Sequence, residues 1–331
     1  MGNQMEPTRV TGGVKVLHVG TPKTGTTWLQ QVVLPVLKAT RVVDFYFGQA
    51  GAARWSSPLA SLHKIARGQE SEHDKEVLRD LFSSGSFFVS AETLTGDSNL
   101  TQQERASAVS QVVPTATTIV ITVRDFRSWI SSLFQEEIKS RLYSSEKQFI
   151  EGRPVAFHSP AWNFENVDLL EMIDAYAHHF DKVVVINRDQ LSQLDWLGHI
   201  GVPPGMRERI RDKLQLRSKA KNESLGASQV AWLLRLNALL SRMARDLPKD
   251  ADARTRFVDL PPRQQISQLL VRIGIALKIR VIVPLLQASN TGKKFSISQH
   301  LIDSRFDMTD SWTWQSLITH FRSSKNVTLI L

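Results

Sequence analysis

Residues His18 to Gln30, HVGTPKTGTTWLQ, set Gly20 and Gly25 around a lysine and follow them with threonines. Such a combination can hold phosphate. Glycines let backbone N–H groups close on an anion, a helix N-terminus adds partial positive charge, and hydroxyls supply further donors. The two glycines have the spacing of the loop G-x-x-x-x-G-K-[ST], yet Thr26 stands where that loop carries its lysine. Ordinary NTP hydrolysis is therefore disfavoured. Lys23 lies inside the turn instead, where its ammonium can approach the bridging oxygen of a terminal group, while Thr24, Thr26 and Thr27 offer hydroxyls to a 5′-phosphate.

A proton-transfer group has two candidates. Glu92, in FFVSAETL, follows a predicted strand and emerges at the carboxyl edge of an α/β sheet, beside the loop. His63, in SLHKIARG, sits on a predicted helix and titrates in the useful range without tuning. Glu92 has a competing reading as a cap for the helix that starts at Thr101 or as the partner of a cation. His158, His178 and His179 are outside candidates.

Positioning these groups requires a parallel sheet. Short apolar, β-branched runs alternate with helical patterns, which predicts an α/β fold of P-loop-like, three-layer type with a central parallel sheet. The predicted strands are Val14 to Val19, Phe87 to Ser90, Thr117 to Val123 and Lys182 to Ile186, with another short run around Val42 to Phe47. Helical patterns cover Thr26 to Leu34, Thr101 to Val112, Arg127 to Leu142 and Val167 to Phe180, and Pro35 is expected to end or kink the first. Beyond about Gly201 the strand signals stop and helices dominate, up to Ser311 to Phe321.

The expected organisation is a loose lead-in over 1–13 and a single domain over 14–331, with an α/β nucleotide-binding core at 14–200 and a mostly helical acceptor or lid portion at 201–331. Residues 1–13 have no apolar signal region and the chain has no cysteine, so a soluble, cytoplasmic protein is expected. A net charge of +9 favours anionic ligands without choosing among them. The most apolar stretch, Leu269 to Leu286, is interrupted by Arg272, Lys278, Arg280 and Pro284. It reads as a core or interfacial helix, with peripheral membrane contact as its lesser alternative and no transmembrane segment expected.

At TPKTGTTWLQ the chain resembles the 5′-phosphosulfate loop of sulfotransferases that use 3′-phosphoadenosine 5′-phosphosulfate (PAPS), whose pattern P-K-[ST]-G-[ST]-[ST] is matched throughout by Pro22 to Thr27. The resemblance, closest to the bacterial carbohydrate-type branch, runs from Val14 to about Gly226. It implies that Pro22, Lys23, Thr24, Gly25, Thr26, Thr27 and Trp28 cradle the phosphosulfate. It also implies that the strand-terminal Arg124, with a serine eight residues on, Ser132, holds the 3′-phosphate. Ser128 and Ser131 leave the choice of hydroxyl open. A later basic segment with Arg217, Lys219 and Lys221 is implied to close over the same phosphate, against a competing reading as a solvated charge run. Lys23 stabilises the leaving oxygen, and Glu92 or His63 takes the acceptor's proton. The implied reaction yields adenosine 3′,5′-bisphosphate (PAP), with no metal expected and a carbohydrate hydroxyl as the first-choice acceptor, ahead of a small alcohol, lipid or natural product. A P-loop kinase-like phosphotransferase and a basic nucleotide- or nucleic-acid-binding protein are the rival readings. The first lacks the lysine after Gly25, and the second lacks clustered basic and aromatic residues.

Overall fold

The computed structural model describes residues 13–48, 57–83, 85–95, 100–153, 168–215, 225–244, 261–288, 294–306 and 313–331. Contacts gather the chain into two compact units, one of 1–124, 166–220 and 311–331, the other of 125–165 and 221–310. This division differs from the expected one at residue 200, because the chain leaves the first unit after Arg124 and returns to it.

The first unit holds the sheet. Its strands are β1 (Lys15–His18), β2 (Phe45–Phe47), β3 (Phe87–Ser90), β4 (Thr118–Val123), β5 (Lys182–Asn187) and β6 (Val327–Ile330). They lie in the order β2-β3-β1-β4-β5-β6, and every neighbouring pair is parallel. From β1 the chain runs to the edge strand β2, returns inward to β3 beside β1, then crosses to β4 on the other side. The loop after β1 therefore lies where the strand order reverses, the usual place for a ligand in such sheets.

Both faces of the sheet are buried, as a parallel sheet requires. Val16, Phe88, Val120 and Val184 point to one face, where they pack with the helical run that begins at Thr26 and with residues of Trp196–His199 and Pro204–Gln215. Leu17, Phe87, Val89, Ile119, Ile121, Val183 and Val185 have the opposite pleat parity and are equally buried.

Two sequence expectations are corrected. Of the two outcomes expected at Pro35, an end or a kink, the end does not occur: Thr26–Trp28 passes into a π-helical stretch, Leu29–Val33, and continues as Leu34–Ala39. Proline has no N–H to donate and its ring crowds the preceding turn, and the wider π turn just upstream accommodates both. Strands also do not stop at Gly201, since β6 joins β5 at the sheet edge. Four residues of NVTLIL are too short a signal to separate a strand from a helix end without the partner strand. Asn326 helps dock the strand, its Nδ2 donating to the Ala177 carbonyl at 2.6 Å.

The second unit is helical, with Phe126–Ser140, Glu146–Ile150, Ala227–Met243, Pro262–Leu277 and Gln299–Asp303. The Pro262–Leu277 helix also passes through a π stretch, Lys278–Ile282, before Pro284. The Leu269–Leu286 segment is not core: among its residues only Val271, Lys278 and Val283 are buried. Among the described residues no helix is long and apolar enough to cross a membrane.

Candidate functional site

The carboxyl edge of the sheet collects the chemistry-bearing residues of the first unit. β1 leads into the turn from Gly20 to Gly25, β3 into Glu92, β4 into Arg124 and β5 into Arg188. Lys23 adopts φ 68° and Gly25 φ 96°. A left-handed lysine is uncommon, because its Cβ crowds the backbone, and such strain concentrates where a loop must present its N–H groups in a fixed curl. Gly25 has little freedom to vary, as an added Cβ would meet Leu191 Cδ2 at 3.0 Å on a backbone that disfavours side chains. The two predicted anion grips are adjacent: Arg124 Nη1 donates to the Lys23 carbonyl at 3.5 Å.

Beneath the loop runs a chain of buried hydrogen bonds whose direction can be worked out. The Thr21 carbonyl can only accept, so the Thr24 hydroxyl donates to it, at 2.6 Å. Its proton spent, Thr24 accepts from Thr122 Oγ1 at 2.8 Å. Thr122 must then accept from His18 Nε2, at 2.9 Å. The neutral imidazole thus carries its proton on Nε2 and accepts at Nδ1 from the Ser90 hydroxyl, at 2.8 Å. Ser90 in turn accepts from Gln30 Nε2 at 3.0 Å, which agrees with a direction deduced from the other end. Burial pushes the His18 pKa down to about 3, so the ring is neutral throughout the physiological range.

This chain ties β3, β1 and β4 to the loop and to the helix after it, all on one face of the sheet. It also explains Gly20. A Cβ there would lie 2.8 Å from Thr122 Oγ1 and 2.9 Å from His18 Nε2. The Thr21 hydroxyl, also within the loop, is buried and has no hydrogen-bond partner among the described residues. An unpaired buried hydroxyl is costly, and this one sits in the turn between β1 and the first helix.

The Glu92 segment is held just as firmly. Ala91 N donates to the His18 carbonyl at 3.0 Å, so Glu92 leaves the sheet directly beside the strand that feeds the loop. A short 3₁₀ turn, Glu92–Thr95, follows. Arg105, 2% exposed, anchors it by donating from Nη1 to the Leu94 carbonyl at 3.2 Å and from Nη2 to the Leu100 carbonyl at 3.3 Å. The next helix has its own capping box, formed by Thr101 and Glu104. The Ser57–Ile65 helix, which carries His63, packs against the Glu92 turn.

Ser132 and its neighbours are on the Phe126–Ser140 helix, in the second unit. Ser131 is spent structurally, donating to the Arg127 carbonyl at 2.6 Å and accepting from Ile297 N at 3.0 Å. Arg217, Lys219, Lys221 and His158 are outside the described residues.

Sequence reasoning passed over His18, Arg105 and Arg188. Arg188 follows β5 as Arg124 follows β4, so the strand-end cue used for one was available for the other. Its Cγ lies 3.6 Å from where a Cβ on Gly25 would stand. No protein-family model matches the chain, and neither the curated proteins nor the solved structures include one that matches it.

Proposed function

We propose that the protein is a sulfotransferase that moves the sulfuryl group of PAPS to an acceptor hydroxyl, a carbohydrate first. The reading is supported above all by one arrangement: a lysine inside a phosphate-type turn, with a strand-end arginine bonded to that lysine's carbonyl. Loop N–H groups and the hydroxyls of Thr26 and Thr27 would receive the 5′-phosphosulfate; the Thr24 hydroxyl, expected to join them, is instead committed to the Thr21 carbonyl and Thr122, and the Arg124 guanidinium would meet further phosphate charge at the β4 end. Arg188, whose Cγ lies beside Gly25, is a further strand-end arginine next to the same turn.

In the reaction the acceptor oxygen attacks sulfur as the bond from sulfur to the bridging oxygen breaks. The electron pair leaves on the 5′-phosphate of PAP, where Lys23 and the helix start offset the new charge, and the acceptor's proton passes to Glu92. His63 remains the alternative base. We propose a cytoplasmic location, with which a chain that carries no cysteine is compatible.

The test is a thermal-shift titration with PAP. A concentration-dependent rise in Tm is expected for the natural chain and a much smaller one for Arg124→Ala. If neither protein shifts while both are folded, the nucleotide assignment is wrong. Labelled PAPS with a panel of sugar, alcohol and lipid acceptors would then identify the acceptor.

A further inference from the structure

The Pro262–Leu277 helix packs by the face that carries Gln268 and Val271, and what it turns outward is apolar. Ile266, Leu269, Leu270, Ile273 and Leu277 recur at spacings of three and four and so form one stripe, with Ile266 62% and Ile273 54% exposed. The neighbouring helix, Ala227–Met243, adds Trp232 and Leu239, also exposed. A soluble surface rarely carries so long a contiguous apolar crest without a partner.

Charge identifies that partner. Neither 225–244 nor 261–288 contains an aspartate or glutamate, whereas Arg235, Arg242, Arg263, Arg272 and Arg280 are all exposed on them. The segment between the two helices is balanced in sequence, with Asp246, Asp250, Asp252 and Asp259 against Arg245, Lys249, Arg254 and Arg256. The one lysine on the longer helix, Lys278, is turned inward and occupied by three oxygen acceptors. A second copy is a poor occupant, because an isologous dimer sets the same patch against itself and would oppose guanidinium to guanidinium. An exposed aliphatic stripe on helices whose exposed charges are all arginines suits a surface that is fluid, apolar below and anionic above.

We propose that the helix pair 227–243 and 262–288 docks the protein on anionic lipid bilayers, the aliphatic stripe entering the acyl boundary and the arginines meeting lipid phosphates. The proposal stands apart from the sulfotransferase reading and needs no bound nucleotide.

The experiment is flotation of the full chain with vesicles of phosphatidylcholine alone and with about a third phosphatidylserine. Expected is binding to the anionic vesicles that falls at least about tenfold on the neutral ones and at high salt. In Ile273→Glu/Leu277→Glu the same binding should drop at least about tenfold with Tm unchanged, since both side chains are exposed, and Arg272→Gln/Arg280→Gln should lose about tenfold. Equal flotation of the natural and Glu-substituted chains, equal binding to both vesicle types, or no binding at all overturns the proposal. So does a natural chain that ignores vesicles but is a dimer in solution and becomes monomeric in the Glu variant, which would assign the face to a second copy.

Discussion

Each unit of the molecule buries a basic side chain, and the two burials serve different ends. In the first, His18 is kept neutral and gives and receives one hydrogen bond in a chain that ends in the phosphate-type loop. In the second, Lys278 lies fully buried with its ammonium donating to the carbonyls of Ile138 and Arg141, at 3.1 and 2.9 Å, and to Asn237 Oδ1 at 2.8 Å. Those carbonyls belong to the end of the Phe126–Ser140 helix, whose last C=O groups have no partner within the helix and whose dipole favours a cation. Burial lowers the Lys278 pKa to about 8, the sort of shift that often marks a catalytic lysine. Here the shift accompanies a completed helix end. Lys23, by contrast, stands on a left-handed turn at the sheet edge, where the proposed reaction needs it. A perturbed pKa identifies a site only where a substrate can approach.

The two lysines separate this contrast most sharply. Lys23→Ala is expected to lower PAPS turnover by about 100- to 1000-fold, the usual cost of removing one donor from a developing anion, with modest loss of PAP binding. Lys278→Met should leave turnover of the folded protein unchanged while lowering stability by about 1–3 kcal/mol, through acceptors left without a donor. Steady-state kinetics beside urea unfolding distinguishes them, and normal turnover in Lys23→Ala removes that lysine's role.

Next in size is Thr122→Val, a near-isosteric break in the His18 chain. It strands the Nε2 proton and should destabilise by about 2–3 kcal/mol. If the chain positions the loop, the folded variant also binds PAP more weakly, as calorimetry would detect. Unaltered binding would reduce the chain to ordinary core satisfaction.

The pH dependence distinguishes the units again. The unfolded chain protonates His18 near pH 6.5 and the folded chain only near 3, so between these values the unfolded state binds the extra proton. Stability should therefore fall with acidification by about 1.4 kcal/mol per pH unit from this residue, and a His18→Gln variant should show a correspondingly flatter acid limb in urea titrations. Lys278 works in the other range. Its folded pKa lies below the unfolded value of 10.5, so its contribution rises with pH above about 8 and disappears in Lys278→Met.

The smallest effect concerns the loop backbone. Because Lys23 holds φ 68°, Lys23→Gly should be more stable than Lys23→Ala by about 1 kcal/mol, with turnover equally poor in both. Equal melting temperatures would mean that the turn carries no strain at this residue.

Much of the site could be read along the chain because its cues are local. A strand, two glycines and a helix start lie within His18 to Gln30, and Arg124 and Glu92 each directly follow a buried strand. Cues that need a distant partner were not legible. Arg105 looks like a helix-surface residue until its carbonyl partners at Leu94 and Leu100 are seen, and Ser131 looks equivalent to Ser132 until Ile297 N claims its hydroxyl. The edge strand β6 has only β5 to declare it.

Sequence alone settled the parallel α/β character, the place of the glycine-bounded turn after β1 and the strand-end positions of Glu92 and Arg124, because strand periodicity and glycine spacing act over a few residues. Tertiary structure alone decided the protonation of His18, whose ring partners are 72 and 104 positions away, since a neutral imidazole takes whichever tautomer its neighbours leave open. It likewise decided that Lys278 turns inward while Arg272 and Arg280 face solvent. That sorting depends on which face of the helix meets the end of another, something no pattern along one segment specifies.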